Sequence, residues 1–316
     1  MGIAFMFPGQ GSQATGMGKA LAENFAAARA VFDEVDAALG QKLSQLMWEG
    51  PESELTLTEN AQPALMAVSM AVMRVLDIEH GITVANTAKF VAGHSLGEYS
   101  ALAAAGTFSL SDAARLLKAR GRAMQSATPV GIGAMAALLG LDFATASAVA
   151  AEAAQGDVCQ AANDNSDGQV VVSGHKAAVE RSLEIAKAKG AKRAILLPVS
   201  APFHCALMQP AADVMSEALA AVAMSNPVVP VVANVGAVPL SDPLDIRLSL
   251  VAQVTGTVRW RECVAYMAAN GITRFYEIGA GKVLTGLSKK NAPEATASAI
   301  GTPDDIAAAA ASIKQG

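Results

Sequence analysis

Aromatic residues are scarce, with phenylalanine, tyrosine and tryptophan together only 4% of the chain. Alanine and valine must carry the core instead. Cysteine is scarcer still. Cys159, Cys205 and Cys263 form an odd set with no C-x-x-C, which argues against a disulfide framework and suits a reducing compartment. Charged residues are 16% against 52% hydrophobic, so disorder is not expected. The net charge of −5 argues against nucleic-acid binding through the whole surface. No leader or lipid anchor is expected either. The first apolar run ends at Phe7 and meets Pro8-Gly9, unlike a signal peptide, and Met6 stands where a myristoylation signal needs Ser or Thr. The most apolar helix, expected over 64–76, carries Arg74 and is too short to span a bilayer. A soluble, cytoplasmic chain of 316 residues, one large domain or one and a half, is the expectation.

Against these absences stands Gly93-His94-Ser95-Leu96-Gly97, between a strand-like run at 89–92 and a helix-like run at 98–105. That is a G-x-S-x-G nucleophile elbow in the strand-turn-helix context it requires. The glycines serve a turn with no room for a Cβ. The turn lifts the Ser95 hydroxyl to the positive end of the following helix.

The rest of the pattern alternates strands and helices. A strand is expected at 3–7, and helices at 19–38, 64–76 and 111–127. From about 132 the spacing changes to strand 134–141, helix 143–154, strands 158–162 and 169–173 around an Asn/Asp/Ser/Gly turn cluster at 163–168, helix 177–189 and strand 193–197. That order is βαββαβ, the split ferredoxin-like unit. The expected fold is α/β: a large hydrolase-like domain (1–130 and 199–316) with a central, mostly parallel sheet, plus an inserted small ferredoxin-like domain (131–198). Helices near 211–223 and 244–254, a strand at 274–278 and an alanine-rich helix at 306–313 complete it.

A serine hydroxyl needs a base, and the chain has only four histidines. His80 ends a helix, His94 adjoins the serine and is expected to point away, and His175 opens a helix of the small domain. His204, in the proline-fixed loop 201–205, is the best candidate. No acid between Ser95 and His204 stands out as a third triad member, so a Ser–His dyad is open. The glycine loop Pro8-Gly9-Gln10-Gly11-Ser12 after the first strand suits a backbone N–H aimed at an oxyanion, with the N–H of Leu96 as the second donor. Gly9-x-Gly11-x-x-Ala14 also fits a loose dinucleotide fingerprint, with Asp33 near the ribose-acid position, but Asp33 falls inside an expected helix. On the helix 111–127, Arg120 shares a face with Ala113, Leu116, Leu117 and Met124, whereas Arg115, Lys118 and Arg122 fall away from it toward solvent. A guanidinium on an apolar face must be paired. Its partner is either an internal acid or a carboxylate brought in by the substrate.

These pieces resemble the malonyl-CoA:acyl carrier protein transacylase family, the acyltransferases of type II fatty acid synthesis. The motifs are Phe7-Pro8-Gly9-Gln10-Gly11-Ser12-Gln13, the elbow extended by Glu98-Tyr99, Arg120-Gly121 with Met124-Gln125, Asn163-x-Asn165-Ser166-x-Gly168-Gln169, His204-Cys205-Ala206-Leu207-Met208, Gln253 and Gly279-x-Gly281-Lys282-Val283-Leu284. The resemblance implies that Ser95 is acylated, that His204 is its base, oriented by the backbone carbonyl of Gln253, and that Arg120 binds the malonyl carboxylate. It further implies that Gln10 and Leu96 supply the oxyanion N–H groups and that Asn163 lines the cleft. Phe203, before His204, is similar to the aromatic residue that accompanies malonyl in related polyketide acyltransferases. A ping-pong transfer from malonyl-CoA to the phosphopantetheine thiol of an acidic acyl carrier protein is implied, by a monomer with no metal or redox cofactor. Lys289 and Lys290, or Lys192 and Arg193, are candidate docking cations. A serine thioesterase or hydrolase, or a stand-alone polyketide acyltransferase, are the alternatives on the same elbow.

Overall fold

The computed structural model describes residues 2–315. Ten strands form two separate sheets: β1 (Gly2–Phe7), β2 (Phe90–Gly93), β3 (Gly133–Leu139), β4 (Cys159–Ser166), β5 (Gln169–His175), β6 (Arg193–Leu196), β7 (Val231–Val232), β8 (Pro239–Leu240), β9 (Ile272–Ile278) and β10 (Thr296–Ile300). The larger sheet runs β10-β9-β1-β2-β7-β8. All its pairs are parallel except β7–β8. The smaller sheet runs β4-β5-β3-β6 and is antiparallel.

β1 shows how its residues suit a sheet covered on both faces. Ile3, Phe5 and Phe7 pack into one apolar cluster and Ala4 and Met6 into another, the period of two that a strand imposes. The first cluster holds the helices Thr58–His80, Leu96–Ala104 and Leu110–Ser126. The second holds Trp260–Ala269 and Val283–Asn291. In the smaller sheet Leu138, Val170 and Val172 pack with the helices Phe143–Ala154 and Lys176–Ala188. Met135 and Val171 face the opposite way, into the first cluster of the main body.

The seam between the sheets is hydrogen-bonded as well as apolar. Asn163 forms a parallel bridge with Val258, the Asp164 N–H donates to Val258 O at 2.9 Å and the Val258 N–H to Ala162 O at 2.8 Å. Arg261 donates to both oxygens of the buried Asp164. Burial raises the Asp164 carboxyl pKa, and the Arg261 bonds oppose that shift.

Several sequence expectations are corrected. Residues 163–166 are strand, not turn. The polar cluster reads as a loop by composition, but its backbone pairs with β5 and with Val258, and only 167–168 turn. The helix expected over 19–38 is two helices, Lys19–Asn24 and Ala26–Leu39, broken at the extended Phe25. The helix placed at 64–76 spans Thr58–His80, with Pro63 inside it. By length and composition it could cross a membrane, but 78% of its most apolar window is buried inside this fold, which makes it a core helix. β7, β8, β10 and the helices Leu43–Glu49, Trp260–Ala269 and Val283–Asn291 were not foreseen.

Parallel pairing places the site. Phe7 is in register with Gly93, so the loop after β1 and the elbow after β2 leave the same edge of the sheet side by side. A Cβ on Gly93 would lie 1.9 Å from the Gly97 carbonyl, and one on Gly97 would lie 2.2 Å from Phe7 O. Both obstacles are backbone, which cannot swing aside. Gly93→Ala and Gly97→Ala are each expected to lower unfolding free energy by about 3 kcal/mol or more, read from urea midpoints. A shift within about 0.5 kcal/mol would show that the elbow has slack.

Candidate active site

Ser95 sits between β2 and the helix Leu96–Ala104 with φ 53°, a left-handed conformation that a residue with a Cβ adopts at a cost of about 1–3 kcal/mol. Its Oγ lies 2.8 Å from His204 Nε2. His204 is itself at φ 59°, and its Nδ1 lies 2.9 Å from the backbone O of Gln253. A carbonyl only accepts, so Nδ1 carries the hydrogen and Nε2 is left free to take the serine proton. Burial, reinforced by the neighbouring Arg120 cation, lowers the His204 pKa to about 3. The ring is therefore neutral at physiological pH, as a base must be.

Arg120 is 1% exposed. Nη1 donates to Gln62 Oε1 at 2.7 Å, and Nη2 donates to Gln253 Oε1 at 2.8 Å and to Ser95 Oγ at 3.2 Å. Among the described residues no carboxylate lies within ion-pair distance of it, and its Nε has no partner. Its guanidinium carbon lies 5.6 Å from the centre of the Tyr99 ring. Of the two pairings open on sequence, an internal ion pair is absent. A buried cation resting on neutral amides and a hydroxyl keeps charge that an anion could satisfy.

Lys118 corrects the helix-face reading: it is 8% exposed, not solvated. Its stem runs along the helix surface and its Nζ reaches Asn60 Oδ1 at 2.8 Å and Glu59 at 3.0 Å. The helices are pressed together here, since a Cβ on Gly121 would lie 2.5 Å from Glu59 Cα. Arg115 and Arg122 are exposed as expected.

A cavity of about 570 Å³ opens over Ser95, lined by Gln10, Leu96, Arg120, Asn163, Phe203 and His204 among others. It therefore brings together six of the residues singled out from sequence with Ser95. Gln253 stands behind Arg120 and His204, reaching both. Leu96 opens its helix, so its N–H is one of the unpaired donors of a helix start. Lys289 and Lys290 are exposed in the last turn of Val283–Asn291 and do not line the cavity. Lys192 and Arg193 are likewise exposed. His94 turns its Nε2 to Asn165 Oδ1 at 2.8 Å. Asp33 is exposed in the helix Ala26–Leu39, far from the role of a ribose acid at a strand end. Among the described residues no cluster of His, Cys, Asp and Glu could hold a metal ion.

Sequence reasoning passed over four polar residues that complete the site. Gln62 Nε2 donates to Thr58 Oγ1 at 2.9 Å, and that hydroxyl donates to Gln10 Oε1 at 2.8 Å, so a buried relay links Arg120 to the glycine loop. Asn234 Oδ1 accepts from the Ser95 N–H at 2.7 Å, and Glu98 accepts from Gln253 Nε2 at 2.9 Å. Gln62 and Thr58 lie on one side of an apolar helix, where a polar pair on the core face was the available signal.

Residues 4–302 match the acyl transferase domain family. The chain is 49% identical over 307 residues to a malonyl CoA-acyl carrier protein transacylase of Escherichia coli K12, covering 97% of this chain and 98% of that one. It is 47% identical over 314 residues to one of Bacillus subtilis strain 168, covering 99% and 98%. Among solved structures it is similar to an acyl-carrier-protein S-malonyltransferase of Bartonella henselae, with 58% identity, TM-score 0.97, and 99% and 100% of the two chains covered. It is also similar to a chain in a complex of a type II PKS acyl-carrier protein with its malonyl-transacylase, with 42% identity, TM-score 0.95, and 99% and 100% covered.

Burial of His204 has a titration signature. Its folded pKa of about 3 lies below the free value of about 6.5, so the stability linked to this ring is present above about pH 6.5 and is lost as pH falls toward the folded value. In histidine-labelled protein the His204 ring nitrogens should keep neutral-tautomer shifts from about pH 8 to about pH 5. A titration centred near the free value would mean that the ring is solvated and not held between Ser95 and Gln253.

Proposed function

The chain belongs to the acyl transferase domain family, and from that premise we propose how its residues carry out malonyl transfer. It is an acyltransferase that moves malonyl from malonyl-CoA to an acyl carrier protein, as its relatives' names state for them. Malonyl-CoA enters the cavity with its free carboxylate on Arg120, which gives up a neutral acceptor for a charged one. His204 Nε2 takes the Ser95 proton while Oγ attacks the thioester carbonyl. The oxyanion is met by the N–H groups of Gln10 and Leu96, each such donor being worth about 3 kcal/mol. The tetrahedral intermediate collapses, CoA leaves with the proton returned by His204, and the Ser95 malonyl ester remains. The carrier's phosphopantetheine thiol then repeats the sequence in reverse.

The exchange is redox-neutral and calls for no cofactor beyond the CoA thioester. We read residues 131–198 as a ferredoxin-like insert whose strand β4 presents Asn163 to the substrate, and Phe203 as a wall that favours malonyl over α-branched acyl groups. The protein is proposed to act as a monomer in the cytoplasm, where CoA thioesters are found. Lys289, Lys290, Lys192 and Arg193 are the cations offered to an acidic carrier.

The observation that carries this reading is the buried Arg120, 3.2 Å from Ser95 Oγ and, among the described residues, without a carboxylate in ion-pair contact. Intact-protein mass after brief exposure to malonyl-CoA should show one malonyl adduct, absent in Ser95→Ala, which transfers when holo-carrier is added. Loss of the adduct equally fast without carrier would indicate a hydrolase. Arg120→Ala should cut malonyl kcat/KM by about a hundredfold or more, in line with removing one partner of a buried charge pair. His204→Ala should slow acylation by about 10²–10⁴-fold. An Arg120→Ala enzyme with unchanged malonyl kinetics would overturn the carboxylate role.

A further inference from the structure

Glu98 takes no part in the steps above, yet it stands at the centre of the hydrogen bonds around the nucleophile. It is 1% exposed, in the first turn of Leu96–Ala104. Its Oε2 accepts from the Asn234 backbone N–H and from Gln253 Nε2, each at 2.9 Å. Both donor residues also hold Ser95. Asn234 Oδ1 takes the Ser95 N–H and Gln253 Nε2 reaches Ser95 O at 3.0 Å. The two backbone polar groups of a strained serine are thus held by side chains 139 and 158 residues further along the chain, which meet at one carboxylate oxygen.

A carboxamide has a donor end and an acceptor end, and only its surroundings decide which way it faces. At Gln253 the donor end meets acceptors only: Glu98, Ser95 O and, at 3.4 Å, Asn234 Oδ1. The acceptor end meets Arg120 Nη2. Turned over, the amide would set N–H against guanidinium N–H and carbonyl against carboxylate. Of the three acceptors, Glu98 is the one that can bear a charge, and a charged acceptor makes the stronger bond. We infer that Glu98 is a positioning residue for malonyl transfer: by accepting from Gln253 it turns the Gln253 carbonyl toward Arg120 and so sets where the guanidinium points. The inference rests on Arg120 as the malonyl carboxylate site. A carboxylate present only to favour the helix start would have no need of Gln253, and its loss would not discriminate between substrates.

The test compares malonyl transfer to holo-carrier with labelling of Ser95 by a fluorophosphonate, which carries no carboxylate for Arg120. Glu98→Ala should raise the malonyl-CoA KM by about tenfold while the labelling rate falls by no more than about threefold, the smaller loss that passes through the Ser95 contacts of Asn234 and Gln253. Glu98→Gln, close in shape and able to fold should the alanine variant fail, should raise KM in the same direction by about threefold, because an amide oxygen held by the Asn234 N–H is a weaker acceptor for Gln253 than a carboxylate. In Glu98→Ala/Arg120→Ala the malonyl KM should match Arg120→Ala alone within about twofold, since the effect runs through Arg120. Unchanged malonyl KM in the folded variants, equal losses in transfer and labelling, or additive losses in the double variant would each overturn the inference. If Arg120→Ala alone leaves malonyl KM unmoved, the carboxylate site itself is wrong and the inference falls with it.

Discussion

A guanidinium sunk in the protein, with no carboxylate within ion-pair distance among the described residues, is the constraint around which the site is organised. Taking Arg120 out of water costs several kcal/mol unless good hydrogen bonds replace hydration, and burial lowers its pKa accordingly. The fold answers with two carboxamides, Gln62 and Gln253, each presenting its carbonyl end. Neutral acceptors hold the cation without satisfying its charge. An acid in direct contact would have satisfied the charge; Glu98, whose charge reaches Arg120, stands behind Gln253 instead.

Each amide then passes the constraint outward. Gln62 is fixed by Thr58, which also ties down Gln10 and the glycine loop. Gln253 is fixed by Glu98 and Ser95 O, and its own backbone carbonyl orients His204. One residue therefore supplies a side chain to Arg120 and a main-chain group to His204. Glu98 is itself buried, which raises its pKa to about 7, partly offset by its bonds to Asn234 and Gln253 and by the Arg120 charge. The left-handed backbones of Ser95 and His204 are strains that only a network this densely bonded can hold.

The scaffold supplies direction. Parallel β1 and β2 deliver the glycine loop and the elbow to one edge of the sheet, and the smaller sheet closes the cavity from the other side through the β4 seam. Much of this was readable beforehand. The elbow, the strand-helix alternation and the βαββαβ order of the smaller sheet follow from local pattern, as does Arg120 on an apolar helix face. Residues 163–166 were misread because turn-forming side chains outweigh, in a local window, a strand whose pairing partners lie elsewhere in the chain. Lys118 was misread because helical periodicity cannot see the neighbouring helix that its long stem reaches.

The sequence by itself determined what lies within a few residues of a motif: a serine on a glycine turn, a proline-held histidine, a cation placed among alanines and leucines. These depend on backbone geometry and side-chain period, both local. Only the tertiary structure decided what that cation touches and which way each amide faces. Gln62, Asn234 and Gln253 meet Arg120 and Ser95 across 58 to 158 residues of chain, and a carboxamide carries no mark of its orientation until its neighbours are in place.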